Sequence, residues 1–286
     1  MVITSIAAYT VYSKAKKKYE APPIVILSCY NDIDIIEGII EEILLTDCQL
    51  IIVDNWSNDG TWDKIVNFKS HINVLHIEQF PLEGPSNDYN WKQILDRKSL
   101  LAADYPNRWI LHQDSDEITL SPLTNFSLSE VLAGVNSLGF NVVPLRMLDF
   151  RAIKDDFSFG NPVNHFKFFL FSDIPSYQLQ NKIWLQPDNQ PVNLSELGGH
   201  DVDFTNKKVF PLRFPRLHYS IRSFEQINRK YLDRLKRTEK ERKLYGWHIH
   251  LDKMLEEKIV FQQSELNEFN RNTLYLEHKK RFYYAD

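Results

Sequence analysis

The sequence has few cysteines, little excess charge and no long apolar run. Its 286 residues include only two cysteines, Cys29 and Cys48, which are too few for a disulfide framework and lack the spacing of a metal site. This scarcity favours a reducing compartment, and we expect a cytoplasmic protein. The net charge of −4 and the pI of about 6.2 exclude a global basic field of the kind that draws a protein to nucleic acid.

The apolar stretch near the N-terminus, VITSIAAYTVYS, has only a dozen residues, whereas a membrane-spanning helix needs roughly 20. Its positive charges, beginning at Lys14, follow the apolar stretch rather than precede it, which argues against a secretory signal. We predict a leader helix over residues 1–20 that packs on the domain. An amphipathic helix in peripheral contact with a membrane is the less favoured alternative.

Apolar runs alternate with segments of helical spacing through the first half of the chain. The runs are PPIVILS, QLIIVD, NVLHI and RWILHQ, and the helical segments include the Ile/Leu stripe over 35–44 and DYNWKQILDRKSLLAAD. This alternation predicts parallel βαβ units in an α/β fold. Asp34 and Glu37 are spaced as a capping box for the first helix. Three later runs, GFNVVPLRM, HFKFFLFS and NKIWLQP, are strand-like.

Polar residues stand where three of the predicted strands end. They are residues 28–31, Asp54 with Asn55, and residues 114–117. Ligands of open α/β sheets bind beyond the carboxyl ends of the strands, so we expect these residues to converge. Two carboxylates at i and i+2 repel one another unless a hard cation lies beside them, and Mg²⁺ or Mn²⁺ commonly binds through one or two carboxylates plus substrate phosphates. The cluster therefore predicts a metal and a phosphate ester.

Three motifs, in order, resemble those of the family-two glycosyltransferases with the GT-A fold. VILSCYND is similar to their opening strand and loop, IIVDNWSNDGT to their VDD-x-S-x-D-x-T segment and WILHQDSDEI to their D-x-D block. Bacterial members whose block reads D-x-D-E are the most similar, and the resemblance covers roughly the first half of the chain. It implies a Rossmann-like, mostly parallel central sheet flanked by helices over residues 21–222.

The resemblance also implies roles for individual residues. Tyr30 would stack on the nucleotide base, with Asp54 and Asn55 near the base and ribose. Asp116, together with Asp114 directly or through water, would hold Mn²⁺ or Mg²⁺ on the diphosphate. The family commonly has a second acid where this chain has Asn55, which leaves the base identity open. Ser28 and Asn31, in the first motif, are further donor-binding candidates.

Three residues of the second half are candidates for the same site. GT-A enzymes often add a distal histidine as a metal ligand, and LHYSIRS resembles that segment, so His218 is the candidate here; the alternative is a core histidine with a satisfied hydrogen bond. Arg222 could neutralise the diphosphate, because a guanidinium forks onto phosphate oxygens. Lys182 is a candidate for the same task.

An inverting transferase needs a base that takes the proton from the acceptor hydroxyl. The polar cluster GGHDVD supplies Asp201 as our candidate, and Glu117 is an alternative already placed at the strand end. The other interpretation of GGHDVD is a turn with solvated side chains.

Residues 223–286 are predicted to form a helical extension. One face is apolar, and cations interleaved with acids cover the rest of the segment that begins at Ser223. A solvated helix with ion pairs at i and i+4 is the default interpretation. The alternative is a patch for an anionic acceptor or a membrane surface.

These observations together predict a metal-dependent glycosyltransferase. It would move a sugar from a nucleotide-diphosphate donor, with a UDP-sugar favoured, to a hydroxyl of an acceptor such as a glycan, with inversion. A sugar nucleotidyltransferase is a second hypothesis, but it should show a glycine-rich, basic phosphate loop after its first strand, and SCYNDID has none. The third is a GT-A-like binding module that has lost turnover.

Overall fold

The computed structural model describes residues 21–171, 180–188, 190–247 and 258–283. The predicted leader helix over residues 1–20 lies outside them. The described strands are β1 (Ile24–Cys29), β2 (Gln49–Asp54), β3 (Val74–Gln79), β4 (Trp109–Asp114), β5 (Glu117–Thr119), β6 (Val142–Val143), β7 (Leu145–Arg151), β8 (Phe168–Phe171), β9 (Ile183–Leu185), β10 (Phe214–His218) and β11 (Asn267–Glu268).

The described helices follow the same chain order. They are α1 (Ile36–Leu44), α2 (Thr61–Val66), α3 (Trp91–Ala103), α4 (Leu128–Ser137), α5 (Pro162–His165), α6 (Phe224–Arg237), α7 (Glu239–Tyr245) and α8 (Leu274–Glu277). Two short 3₁₀ turns, Gln263–Glu265 and Lys279–Arg281, accompany them. In the described part of the chain, no helix has the length and apolar character to cross a membrane.

The central sheet has six strands in the order β3-β2-β1-β4-β9-β6. The first four are parallel, as the βαβ pattern predicts, while β9 pairs antiparallel with β4 and β6 antiparallel with β9. The fold class is therefore mixed α/β, with a parallel-rich central sheet flanked by helices. The parallel order matters for the site because it points the ends of β1, β2 and β4 to one edge.

Helix α1 covers the sheet with its isoleucine stripe. Ile36, Ile39, Ile40 and Ile43 are all buried in the largest core cluster, and full burial of such a side chain contributes about 1.5–3 kcal/mol. The predicted capping box was wrong. The helix begins after Ile35 without a side-chain cap, because the carboxylate that was expected to cap it binds an arginine, as described below.

A second sheet of five strands, in the order β11-β8-β7-β10-β5, lies beside the first. Strand β10 pairs parallel with β7 and antiparallel with β5. This pairing places His218 opposite both Glu117 and Asp149, which joins the second half of the chain to the end of β4.

The described C-terminal residues are only partly helical. Helices α6 and α7 agree with the prediction, and the Ser223 side chain caps α6. Beyond them, however, β11 extends the second sheet, and Leu274 and Phe282 belong to the largest core cluster. This part of the chain is therefore integral to the core of the domain.

Candidate active site

The ends of the three parallel strands meet, as the sequence predicts. Ser28 lies opposite Asp114 in the sheet register, and Cys29 lies opposite Asp54. The Ser28 hydroxyl donates a hydrogen bond of 3.2 Å to Asp114 Oδ1. The side chains of Asp114 and Asp116 are 33% and 15% exposed, so both carboxylates remain accessible at this edge.

His218 reaches the same point from the second sheet. Its Nε2 lies 3.8 Å from Asp116 Oδ1, and its Nδ1 lies 2.6 Å from Asp149 Oδ1. Burial opposes protonation of the ring, but the bond to Asp149 and the charge of Asp116 outweigh burial and raise the pKa of His218. A carboxylate behind a histidine is the usual arrangement that orients an imidazole toward a metal.

The residues present fit a hard divalent cation. Two carboxylates separated by one residue and a carboxylate-oriented imidazole are ligands that Mn²⁺ and Mg²⁺ accept, together with phosphate oxygens. The described residues do not contain a preassembled group of three such side chains. A cation would therefore be held with help from a ligand's phosphates.

Glu117 lies behind the accessible carboxylates in a buried ion cluster. Its oxygens lie 2.7 Å from Arg216 Nη1 and 3.4 Å from Lys182 Nζ, and one accepts from the Asp114 backbone N–H. Burial would raise the pKa of Glu117, but Lys182 and Arg216 outweigh it and hold this pKa well below its usual range. Glu117 and Lys182 are thus partners of each other in this structure, and neither is placed to meet an acceptor or a diphosphate.

A buried lysine that the sequence analysis missed supports the end of β4. Lys98 of α3 is fully buried, donates to the carbonyl of Gln113 at 2.9 Å and lies 2.8 Å from His112 Nδ1. Burial lowers the pKa of Lys98 to about 7. No local signal identifies it, because a lysine in an amphipathic helix is ordinarily solvated.

The residues predicted near the base and ribose mostly hold together the loops that follow β1 and β2. Asp54 is fully buried and accepts from Ser57 N at 3.0 Å and from its hydroxyl at 2.5 Å; burial raises the pKa of Asp54. Asn31 exchanges two hydrogen bonds of 3.0 Å with Asn58. The Asn55 Nδ2 donates to the carbonyl of Phe80 at 2.8 Å, which leaves its Oδ1 as the acceptor on the other side.

Tyr30 lies where β1 ends, but α6 covers it. Its residue surface is only 5% exposed, the Arg237 guanidinium carbon lies 4.2 Å from the ring centroid, and the phenol donates a 2.5 Å hydrogen bond to Asp233. Burial and this carboxylate raise the pKa of Tyr30 to about 12.

Arg222 is engaged by acids of the loop after β1. Its Nε donates to Asp34 at 2.6 Å, and its Nη2 lies 3.0 Å from the same carboxylate and 3.4 Å from Asp32. Lys230 and Arg229 of α6 add further ion pairs to Asp32 and Asp34, respectively. The predicted diphosphate contact is therefore replaced in this structure by a buried ion network. The acids Asp32 and Asp34 were a visible signal for such a network, but the sequence suggested Asp34 only as a helix cap.

Asp201 follows a glycine-rich turn in which the His200 carbonyl accepts from the Asn181 N–H. It pairs with Lys207 and accepts from the Val202 N–H. The adjacent Gly199 has φ +85°, and a Cβ there would lie 3.1 Å from His112 Nε2. Gly199 thus permits a close approach to the protein's own strand, whereas a Cβ on Gly198 would lie 3.3 Å from Trp247 Nε1.

Comparisons with known proteins give weak similarities. No protein-family model and no curated protein matches the chain. Among solved structures, it is similar to the mannosyltransferase PcManGT from Pyrobaculum calidifontis in complex with GDP-Man and Mn²⁺, at 15% identity over 50% of this chain and 45% of that one, with a TM-score of 0.34.

Two further structures show a comparable level of similarity. S. aureus TarS 1–349 in complex with UDP is 11% identical over 83% of this chain and 76% of that one, with a TM-score of 0.40. Glucosyl-3-phosphoglycerate synthase from Mycobacterium tuberculosis, in complex with Mn²⁺, UDP and phosphoglyceric acid, is 18% identical over 48% and 46%, with a TM-score of 0.30. The chain thus spans less than half of two of the three structures. Similarity at this level carries no argument about activity.

Proposed function

We propose that this protein is a GT-A glycosyltransferase that uses a divalent cation and a nucleotide-diphosphate sugar. The observation that carries the proposal is the meeting of Asp116, in the turn between β4 and β5, and His218, at the end of β10. Their side chains lie 3.8 Å apart. Asp149 behind the imidazole makes this pair a suitable half-site for a cation. The three ordered motifs of the first half support the same activity.

Asp116 and His218 would hold the cation, with Asp114 contributing directly or through water. The cation supplies positive charge where negative charge grows on the departing diphosphate. Ser28 holds the Asp114 carboxylate by its hydrogen bond. Lys98 fixes the backbone of the same strand end through the Gln113 carbonyl. These contacts keep the Asp114 carboxylate in place before the donor arrives.

Tyr30 and Asn55 would receive the nucleoside. The aromatic ring offers a stacking face of the kind that nucleobases use, and the Asn55 Oδ1 offers a hydrogen-bond acceptor whose orientation Phe80 fixes. A UDP-sugar is our favoured donor, and Asn31 and Asp54 would act by shaping the loop that carries Asn55.

We propose Asp201 as the base that takes the acceptor's proton, in an inverting transfer to a hydroxyl of a glycan. Its side chain is 18% exposed, whereas that of Glu117 is 3% exposed, and a base must reach the acceptor oxygen. Lys207, which pairs with Asp201, has to release the carboxylate for this role.

Arg222 and Lys182 would act on the donor only by charge at a distance. We further propose a cytoplasmic location, which suits the two free, buried cysteines.

A thermal-shift panel tests the proposal. A ligand that binds only the folded state raises the melting temperature, so UDP or GDP should stabilise the protein with Mn²⁺ and not with EDTA. Equal stabilisation under both conditions would show that Asp116 holds no metal. Asp104→Asn, at the end of α3 and before β4, is the matched control for Asp116→Asn. It should keep the Mn²⁺-dependent rise in melting temperature.

A catalytically inactive nucleotide-binding module is the second candidate, because α6 covers Tyr30 in this structure. The two candidates differ in slow hydrolysis of the donor. A transferase incubated with Mn²⁺ and a panel of UDP- and GDP-sugars should release nucleotide diphosphate from at least one of them. A module without turnover would bind the donor and release none.

A further inference from the structure

The covered state of Tyr30 involves two charged side chains that lie one helical turn apart on α6. Arg237 lies over the ring with 4.2 Å between its guanidinium carbon and the ring centroid. Asp233 accepts the phenol hydrogen bond at 2.5 Å. A positively charged plane therefore occupies the side of the ring that faces α6.

We infer that Asp233 and Arg237 form an autoinhibitory clasp, which occupies the base position on Tyr30 and is displaced when a nucleotide binds. This inference rests on the proposed function, because it assumes that Tyr30 receives the base. It adds that the empty protein closes its own nucleoside subsite, so that part of the binding free energy of the donor is used to open the clasp.

Arg237 resembles a base in the contacts that it makes. A guanidinium is planar and stacks on aromatic faces, as a nucleobase does. Its Nη2 also lies 3.5 Å from Asn55 Oδ1 and donates to the Ser86 carbonyl at 3.0 Å. Arg237 thus uses both Tyr30 and Asn55, the two groups proposed for the nucleoside, and one ring face has room for only one plane.

One hydrogen-bond donor of the clasp is unsatisfied. Among the described residues, the buried Nη1 of Arg237 has no hydrogen-bond partner, and its nearest acid, Asp233, lies 4.0 Å away. A buried donor without an acceptor opposes the closed arrangement. Exchange of the guanidinium for a base returns this donor to water.

Helix α6 is attached to the cleft mainly through polar contacts. Lys230 pairs with Asp32, and Arg229 with Asp34. Its described apolar contacts belong to a small separate cluster that includes Ile227 and Leu235. Because Asp32 and Asp34 are buried in these ion pairs and the Arg237 carbonyl accepts from the Tyr89 N–H at 2.8 Å, the helix backbone stays in place. Displacement of the clasp is therefore a movement of the Arg237 and Asp233 side chains alone.

The clasp should lower the affinity of the protein for a nucleotide below the affinity of a site that is always open. When only a fraction of the protein is competent, the apparent dissociation constant rises by the inverse of that fraction. Removal of the guanidinium should therefore tighten nucleotide binding. If Arg237 instead made a favourable contact with the bound nucleotide, its removal would weaken nucleotide binding.

The test is titration calorimetry of UDP in the presence of Mn²⁺ with the full chain. Arg237→Ala and Arg237→Gln should each lower the dissociation constant about three- to tenfold, a range that corresponds to loss of a partly desolvated cation–π contact. Gln keeps the length of the side chain, so it serves if the alanine variant folds poorly. Lys236→Ala removes the same charge from the exposed neighbour on α6 and should leave the dissociation constant unchanged.

A second pair of variants isolates the clasp. In a Tyr30→Ala background, Arg237→Gln should no longer tighten binding, because the shared ring is gone. Weaker or unchanged UDP binding by both Arg237 variants in the wild-type background overturns the clasp while leaving the proposed function intact. If neither UDP nor GDP binds wild type or any variant with Mn²⁺, the clasp and the proposed function both fail.

Discussion

At the scale of single residues, His218 links the two halves of the chain because it has a carboxylate on each side. Asp149 holds Nδ1 at 2.6 Å and Asp116 faces Nε2 at 3.8 Å. Asp149 therefore orients the ring. Asp116 lies on the Nε2 side, where it and the imidazole could bind the same cation.

Loss of either the histidine or its orienting carboxylate should reduce Mn²⁺-dependent nucleotide binding. We expect His218→Ala to abolish most of the Mn²⁺ dependence of UDP affinity and Asp149→Asn to lower that affinity about 10- to 100-fold. Calorimetry with Mn²⁺ and with EDTA measures both, and His71→Ala, at an exposed position, is the control. If His218→Ala lowers the melting temperature but leaves the Mn²⁺ dependence of UDP binding intact, His218 is a core histidine.

Tyr30 should contribute stacking rather than a hydroxyl contact. Tyr30→Ala should weaken UDP binding by about 1–3 kcal/mol, whereas Tyr30→Phe keeps the ring and should bind at least as well as wild type. Tyr105→Ala, outside the cleft, controls for the loss of a ring. An unchanged dissociation constant for Tyr30→Ala would remove this residue from the site.

Asp32 should make folding sensitive to acid. It is fully buried; burial alone would raise its pKa, but Lys230 and Arg222 outweigh it and hold the pKa of Asp32 below its usual range. A depressed folded-state pKa contributes stability above the unfolded-state pKa of about 3.9, and this contribution is lost as the pH falls through the folded-state value.

Asp32→Asn should therefore destabilise the protein by about 3–5 kcal/mol at pH 7, because the buried Lys230 loses its partner and the buried Arg222 loses one of its two carboxylates. The difference from wild type should shrink as the pH falls below about 4. Urea unfolding across pH measures it, with Glu239→Gln, in an exposed ion pair, as a control that should show no change. A difference that stays constant down to acid pH would contradict this account.

At the scale of elements, strand β10 carries two site residues at alternate positions on one face. Arg216 binds Glu117 and His218 faces Asp116, so the pairing of β10 with β5 sets both contacts. A shift of one residue in this register would turn both side chains to the other face. The sequence suggests a strand near His218, but the register depends on a partner about 100 residues away.

Helix α1 approaches α5 so closely that only glycine fits at one position. A Cβ on Gly38 would lie 2.6 Å from the Asn161 Cα and 3.0 Å from its backbone N. Since these atoms are largely backbone, Gly38→Ala should destabilise the protein by about 1–3 kcal/mol, although alanine favours helix. Glu41→Ala, on the exposed side of α1, should be close to neutral in the same urea titration. Equal stability of Gly38→Ala and wild type would show that this contact is loose.

Helix α6 shows what periodicity predicts and what it omits. The sequence predicts a helix from Ser223 onward and solvated cations on its polar face. The helix forms there, but Lys230 turns inward to Asp32, which is 198 residues away in the sequence. A helical pattern specifies which residues share a face, and it contains no information about the acids that this face meets.

At the scale of the whole molecule, local pattern predicts the parallel half better than the rest. Strands β1 to β4 and the meeting of Ser28, Asp54 and Asp114 follow from alternation and from the geometry of parallel sheets. The second sheet does not follow, because β5, β10 and β11 are short strands whose partners are distant in the sequence. The bond between Asp149 and His218 depends on the pairing of β7 with β10. The cover over Tyr30 depends on α6, whose Asp233 is 203 residues away in the sequence.

The central claim is that one cation is bound by the two halves of the chain together with a nucleotide diphosphate. Pulsed electron paramagnetic resonance of Mn²⁺ with the protein and UDP measures this directly, since it detects magnetic nuclei in the ligands that are bonded to the ion. We predict ³¹P couplings from the diphosphate and a ¹⁴N coupling from one histidine, with the ¹⁴N coupling absent in His218→Ala. A spectrum of the wild-type protein with ³¹P couplings and no ¹⁴N coupling, or one of free Mn²⁺ alone, would contradict the account.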